Sequence, residues 1–405
     1  MELKGKKLSL MNYAADRVND IKAPSFSDLF EAKQAYTLKT GQSVIDFSVG
    51  SSNIPPHDCV KQAISRAALD DESYQYSLAP KEETVRAIQN WYLNRYGVTL
   101  QEDQIFPLKG SQEALSHIPL ALCNPGDLVL LPDPCYPIYR TAPLLAGAKT
   151  WFMPMKAEND YLIDFSAIPE EVAEEAKLMV VSYPNNPTGA VANDEFYKQL
   201  VAFAKKHHIL VVHDNAYSEL IFDGAPGKSF LSYPGAMDLG IELNSFSKAY
   251  SMGGARMAVM VGNPDMIAPY SKLMNTIDFQ SFAPVHKGAI AALEQSGDFS
   301  RQVCQEYKRR SELLVKEFSK AGWQIAPVKS TMFVWARIPD QYEDSSEFLY
   351  DLLNRTGVLV NAGTSFGEEG KRYVRFALVR NDDEVREAAR RIDESGIFTE
   401  ANPVS

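Results

Sequence analysis

Short, unbroken apolar runs alternate with longer amphipathic segments through the middle of the chain. GDLVLLPD (126–133), KLMVVSYPNN (177–186), HILVVHDNAY (208–217), GIELNSFSK (240–248) and ARMAVMVGN (255–263) each carry a burst of Val, Leu, Ile or Met. Most of them end in polar or turn residues. Between two of them, NDEFYKQLVAFAKKHH (193–208) repeats Phe196, Leu200, Phe203 and Ala204 at helical spacing, with Asn193 or Asp194 as its cap. Apolar runs without alternation, separated by helices, predict a mostly parallel sheet covered on both faces. In such sheets ligands sit beyond the carboxyl ends of the strands. Asn185, Asn186, Asp214, Asn215 and Lys248 all fall just after strand candidates.

The pattern then changes. FSRQVCQEYKRRSELLVKEFSKAG (299–322) predicts a long amphipathic helix stopped by Gly322. Strand candidates TMFVWARIP, VLVNAG and RYVRFALV follow, mixed with helices in SSEFLYDLLNRTG and NDDEVREAARRID. The expected organisation is an N-terminal arm that joins the small domain (1–48), a large α/β domain (49–295) and a smaller α/β domain (296–405).

Composition narrows the function. With 405 residues the chain has room for two cores, and its net charge of −11 argues against nucleic acid or an anionic membrane as partner. No apolar run approaches membrane-spanning length. The first twenty residues lack the apolar core and cleavage site of a secretory leader. Cys59, Cys123, Cys135 and Cys304 show no metal-ligand spacing and fit reduced thiols in a cytoplasmic protein.

The candidate chemistry centres on NSFSKAYSMGGAR (244–256). A lysine in a serine-rich turn is ordinarily a surface residue. Here small neighbours admit a bulky ligand, and Ser245 and Arg256 suit a phosphate, which the guanidinium fork matches. LKGSQEAL (108–115) offers a second anion anchor, because a glycine and a serine precede a helical pattern. Asp214, at a strand end, requires a proton or a cation if buried. Tyr217 places a phenol nearby, Asn186 an amide, and Tyr136 a ring able to lie flat on another ring. A pyridinium nitrogen, a phenolate oxygen, a phosphate and an aldehyde for the lysine together describe pyridoxal 5′-phosphate.

DPCYPIY, YPNNPTGA, HDNAYSEL, NSFSKAYSMGGAR and YVRFALV occur in that order, and on them the chain resembles the fold-type I, class I/II aminotransferases. Within that family it is most similar to the LL-diaminopimelate aminotransferases and their alanine and aspartate relatives. The resemblance implies Lys248 as the Schiff-base lysine and Asp214 as partner of the pyridine nitrogen. It further implies Tyr217 and Asn186 on the ring oxygen, Tyr136 stacked on the ring, and Ser111, Gln112, Ser245 and Arg256 on the phosphate. Arg375 would clamp the substrate α-carboxylate, helped by Asn186 and the backbone of Gly50. Tyr76, in SYQYSLAP, would be lent to the active site of a second subunit, which implies a homodimer. The expected reaction is amino transfer between an L-amino acid and a 2-oxo acid such as 2-oxoglutarate. A carbon–sulfur β-lyase and a non-catalytic ligand-sensing domain are the alternatives on the same scaffold. The chain departs from the family pattern at Ala255, at Cys135, in GSSNIPP and in NTIDFQSFAPVHKGA, mostly on the substrate side.

Overall fold

The computed structural model describes residues 15–21, 26–222 and 227–398. The opening residues read for a leader lie mostly outside this range. The strands are β1 (Ile45–Asp46), β2 (Ile105–Leu108), β3 (Leu128–Asp133), β4 (Lys149–Pro154), β5 (Ala176–Ser182), β6 (Leu210–Asp214), β7 (Gly240–Ser245), β8 (Ala258–Gly262), β9 (Phe333–Arg337), β10 (Val358–Leu359), β11 (Asn361–Ala362) and β12 (Tyr373–Ala377).

Seven of them form one sheet in the order β2-β8-β7-β6-β5-β3-β4. All of β3, β7 and β8 is buried, as strands covered by helices on both sides must be, although β7 carries Glu242, Asn244 and Ser245 among its apolar residues. The helix Asp194–His207 forms as the spacing predicts, capped by Asn193, whose side chain accepts from Phe196 N at 2.9 Å. It buries Phe196, Leu200 and Ala204.

The sheet is not wholly parallel. β8 runs antiparallel to both β7 and β2. A parallel crossover needs a helix long enough to carry the chain back along the strand. Between β7 and β8 there are only the short helix Phe246–Ala249 and a turn of 3₁₀ helix, Gly253–Ala255, so the chain reverses instead. This reversal brings the start of β8 to the same edge as the ends of β2, β5, β6 and β7. Ser245 pairs with Ala258, Leu108 with Ala258, and Ser182 with Asp214. Residues from five separate strands therefore meet at one edge.

The later segments build a second sheet, β11-β12-β9, packed with the long helix Phe299–Lys320. VLVNAG, expected as one strand, is split. β10 pairs in parallel with β1, which ties the N-terminal segment to this part of the molecule, and β11 pairs with β12.

Under the large sheet lies a buried polar cluster. Glu242 of β7 accepts from Tyr92 (3.0 Å) and from Phe230 N (2.8 Å), and His213 Nδ1 lies 2.9 Å away. Neither the His213 nor the Glu242 side chain is exposed at all. Removing one partner strands the other without water. Glu242→Ala is therefore expected to cost about 1–3 kcal/mol for each donor left stranded, Tyr92 Oη and Phe230 N among them, measured as an earlier urea midpoint.

Candidate active site

β7 ends at Ser245, whose hydroxyl accepts from Ser247 N at 3.2 Å and caps the four-residue helix carrying Lys248. The cap aims the Lys248 amine across the sheet edge, where Nζ donates to the Gly50 carbonyl at 2.9 Å. Burial, with Arg375 and then Arg256 adding like charge, pulls the Lys248 amine down to about 8. A neutral amine is the nucleophile toward an aldehyde. The rate at which the cofactor-free protein captures pyridoxal 5′-phosphate is therefore expected to climb with pH to about 8 and flatten above it. A rate still rising beyond pH 10, as for an ordinary lysine, would contradict this assignment.

Asp214, the last residue of β6, is buried, and burial pushes its carboxyl up against the hydrogen bonds that oppose the shift. Its donors among the described residues are both neutral: Tyr139 Oη at 2.6 Å and Ala216 N at 3.2 Å. A cationic ring nitrogen would supply the charge that this carboxylate lacks. Tyr139 shares the DPCYPIY motif with Tyr136 and is a site residue that the motif alone does not mark. Its spacing of three from Tyr136 is the signal, since the turn leading into the helix Ile138–Leu145 sets the two rings 6.0 Å apart and edge to face.

Arg375 stands on β12 of the second sheet and reaches back to the same place. Nη1 donates to Asn186 Oδ1 at 2.9 Å and Nη2 to the Ser48 carbonyl at 3.3 Å, while buried Nε has no hydrogen-bond partner among the described residues. The guanidinium lies over two rings, Phe333, 4.1 Å from the ring centre, and Phe366, 4.7 Å from it. Burial brings it down to about 10. The two aromatic walls and the Ser48 carbonyl escaped sequence reasoning, because nothing local in the chain marks residues that become neighbours across 9 to 327 positions. Gly50, expected near the substrate carboxylate, does lie beside this guanidinium, and a Cβ there would stand 2.8 Å from the Phe333 ring.

The anion anchors also converge. Gly110, at φ +87°, caps the helix Ser111–Leu122, and a Cβ there would collide with the Arg256 guanidinium. Arg256 Nη1 donates to the Gly253 carbonyl at 2.9 Å. First-turn amides and a guanidinium facing one point suit a phosphate. Tyr136 Oη donates to Gln112 Oε1 at 3.0 Å, which ties the expected stacking ring to this helix start. Burial raises the phenols of Tyr136 and Tyr217, and both feel the charges of Asp214 and Arg375.

Lys248, Asp214, Tyr217, Asn186, Tyr136, Ser111, Gln112, Ser245, Arg256, Gly50 and Arg375 are thus brought to one edge. Tyr76 is not among them. It is 81 % exposed and packs against Phe279, 5.0 Å between ring centres. A cavity of about 630 Å³ beside β4, lined by Trp151, Lys156, Phe196 and others, contains none of these groups.

The profile of the family "Aminotransferase class I and II" matches residues 42–392. The chain belongs to this family. Its members are pyridoxal-phosphate-dependent enzymes, and the residues at the sheet edge fit that cofactor. The LL-diaminopimelate aminotransferase of Halothermothrix orenii is 37% identical over 385 residues, covering 95% of this chain and 98% of that protein. The enzyme of the same name from Dehalococcoides mccartyi is 39% identical over 350 residues, covering 85% and 89%. Among solved structures, substrate-bound BacF from Bacillus subtilis superposes with a TM-score of 0.91 at 34% identity, covering 97% of this chain and all of the other. A probable N-succinyldiaminopimelate aminotransferase from Thermus thermophilus gives 0.85 at 36% identity, covering 91% and 99%. This aminotransferase is therefore an enzyme of fold type I. No helix among its described residues is long and apolar enough to cross a membrane.

Proposed function

We propose that this aminotransferase takes the amino group of an L-amino acid of the diaminopimelate type and passes it to a 2-oxo acid such as 2-oxoglutarate, with L-alanine and L-aspartate as the next donors to consider. The observation that carries the reading is the meeting of a lysine amine lowered to about 8 with a buried carboxylate and a buried guanidinium at one sheet edge. The relatives of 37% and 39% identity support the donor class.

In this reading Arg375 takes the α-carboxylate, its fork matching both oxygens. Asn186 orients it. Lys248 would hold the cofactor at rest and, as a free amine, would carry the proton at the substrate Cα. Asp214, oriented by Tyr139, holds a proton at the ring nitrogen. Tyr217 and Asn186 would bond the ring oxygen, Tyr136 would pack on the ring face, and Ser111, Gln112, Ser245 and Arg256 would hold the phosphate. When bound, the cofactor serves as the electron sink for charge left at Cα.

The working unit proposed is a homodimer. Tyr74, Tyr76, Leu78, Ile277, Phe279 and Phe282 are all exposed and lie together, with Tyr74 on Phe282 at 5.3 Å and Gln280 N donating to the Ser77 carbonyl at 3.1 Å. An apolar patch of this kind asks for a partner, and a second copy would bring Tyr76 to the neighbouring site. Sedimentation as a monomer at micromolar concentration would remove this part. Four scattered cysteines without metal-ligand spacing support a reducing, cytoplasmic location. The division at 48/49 and 295/296 belongs to the same proposal, checked by limited proteolysis.

The test is a donor screen in single half-reactions followed by cofactor absorbance. LL-diaminopimelate is expected to convert the cofactor fastest, and 2-oxoglutarate to reverse the change. Pyruvate released from cystathionine without amino transfer would instead support the lyase, and silence with every amino acid a sensing role.

A further inference from the structure

The two aromatic walls around Arg375 are held differently. Phe333 belongs to β9, the strand paired with β12, so its place follows from the sheet register. Phe366 lies outside any strand, in residues 363–370, which contain two single turns of 3₁₀ helix. Something other than a strand ladder must hold its ring against the guanidinium.

That support comes from the large sheet. Asp133, the last residue of β3, is only 5% exposed. Its Oδ2 accepts from Glu368 N at 3.2 Å, and its Oδ1 lies 3.1 Å from Arg140 Nη2. The latter approach is close but not aligned as a hydrogen bond, so the two act as an ion pair. Arg140 is itself braced by the Phe152 ring, 4.2 Å from the guanidinium carbon. Two residues on, Cys135 N donates to the Phe366 carbonyl at 2.8 Å. Gly367, at φ +145°, sits directly on the pair, and a Cβ there would overlap the Asp133 carboxylate and the Arg140 guanidinium. The backbone on both sides of Gly367 is thus pinned to the end of β3.

We infer that Asp133 and Arg140 form a latch that fixes residues 366–368 of the second sheet's loop onto β3, and thereby sets how tightly Arg375 binds carboxylates. The inference rests on the proposed role of Arg375. With Phe366 in place, the guanidinium is covered by two rings and buried, and its fork is oriented before substrate arrives. With the latch open, water reaches one face and must be displaced at each binding event. Asp133 and Arg140 are positioning residues, since neither touches the Arg375 guanidinium. Amino acid and 2-oxo acid share the same carboxylate, so both must be affected by the same factor whatever their side chains.

The experiment uses the cofactor-loaded enzyme in single half-reactions, with LL-diaminopimelate as donor and 2-oxoglutarate as acceptor. Asp133→Asn and Arg140→Met are expected to raise the half-saturating concentration of both by about tenfold, the size of a desolvated cation–π contact. Limiting rates should stay within about threefold, because ground-state and transition-state binding fall together. The cofactor spectrum should not move. Gly367→Ala forces a methyl group onto the pair without removing a charge and should reproduce the effect, while urea midpoints of all three variants guard against one that fails to fold. Arg140→Lys should restore most of the affinity. Arg375→Ala runs in parallel. If it weakens carboxylate binding while the three latch variants leave half-saturation unchanged, or change it for one substrate and not the other, the latch is wrong. If Arg375→Ala itself has no effect, the carboxylate reading falls and takes the latch with it.

Discussion

Replacing Lys248 by alanine is expected to lower kcat by at least about 10⁴-fold, the upper end of what a positioned acid–base group contributes. The reason is that one amine does two jobs. In the proposed reading it would attach the cofactor and, once free, would serve as the base at the substrate Cα. Both depend on the neutral form, and burial beside Arg375 and Arg256 brings the amine to about 8, where that form is abundant near physiological pH. No other lysine is among the residues gathered at this edge. Phosphate contacts from the Ser111 helix start and Arg256 do not involve Lys248, so the variant should still bind the cofactor reversibly. Borohydride should fix the cofactor to the wild-type chain and leave it removable by dialysis from the variant. Turnover within tenfold of wild type would rule out the assignment.

The second large effect is expected at Arg375. Truncating a buried, hydrogen-bonded charge at a binding site costs about 2–5 kcal/mol, so Arg375→Ala should lower kcat/KM for every amino acid by roughly 30- to several-thousand-fold. Part of that loss is the stranding of Asn186 Oδ1 and the Ser48 carbonyl, which accept from the guanidinium at 2.9 and 3.3 Å. Arg375→Lys should recover little, because an ammonium cannot present the planar fork. Cofactor affinity, measured by equilibrium dialysis, should change far less. An unchanged KM for the amino donor, or an equal loss of cofactor, would show that the guanidinium serves the scaffold and not the substrate.

These two side chains also show the difference between what was legible along the chain and what was not. Lys248, Asp214 and Asn186 stand directly after apolar runs, and that order alone placed them at strand ends. Tyr139 and Phe366 were invisible as site residues, although both sit within or near recognisable motifs. Tyr139 looks like any core aromatic until the helix turn points its hydroxyl at Asp214. Phe366 becomes a wall of the site only because its backbone is tied to Cys135, which is 231 positions away.

Residue order sufficed for the alternation of strands and helices, for the cofactor chemistry and for the family, because periodicity and local motifs are short-range properties. It did not say that β8 would run backwards, that VLVNAG would divide between two sheets, or that Ser48, Phe333 and Phe366 would enclose Arg375. Those outcomes depend on which segments pack together. Packing is settled by burial and hydrogen-bond pairing between residues far apart in the chain, and no window of neighbours contains that information.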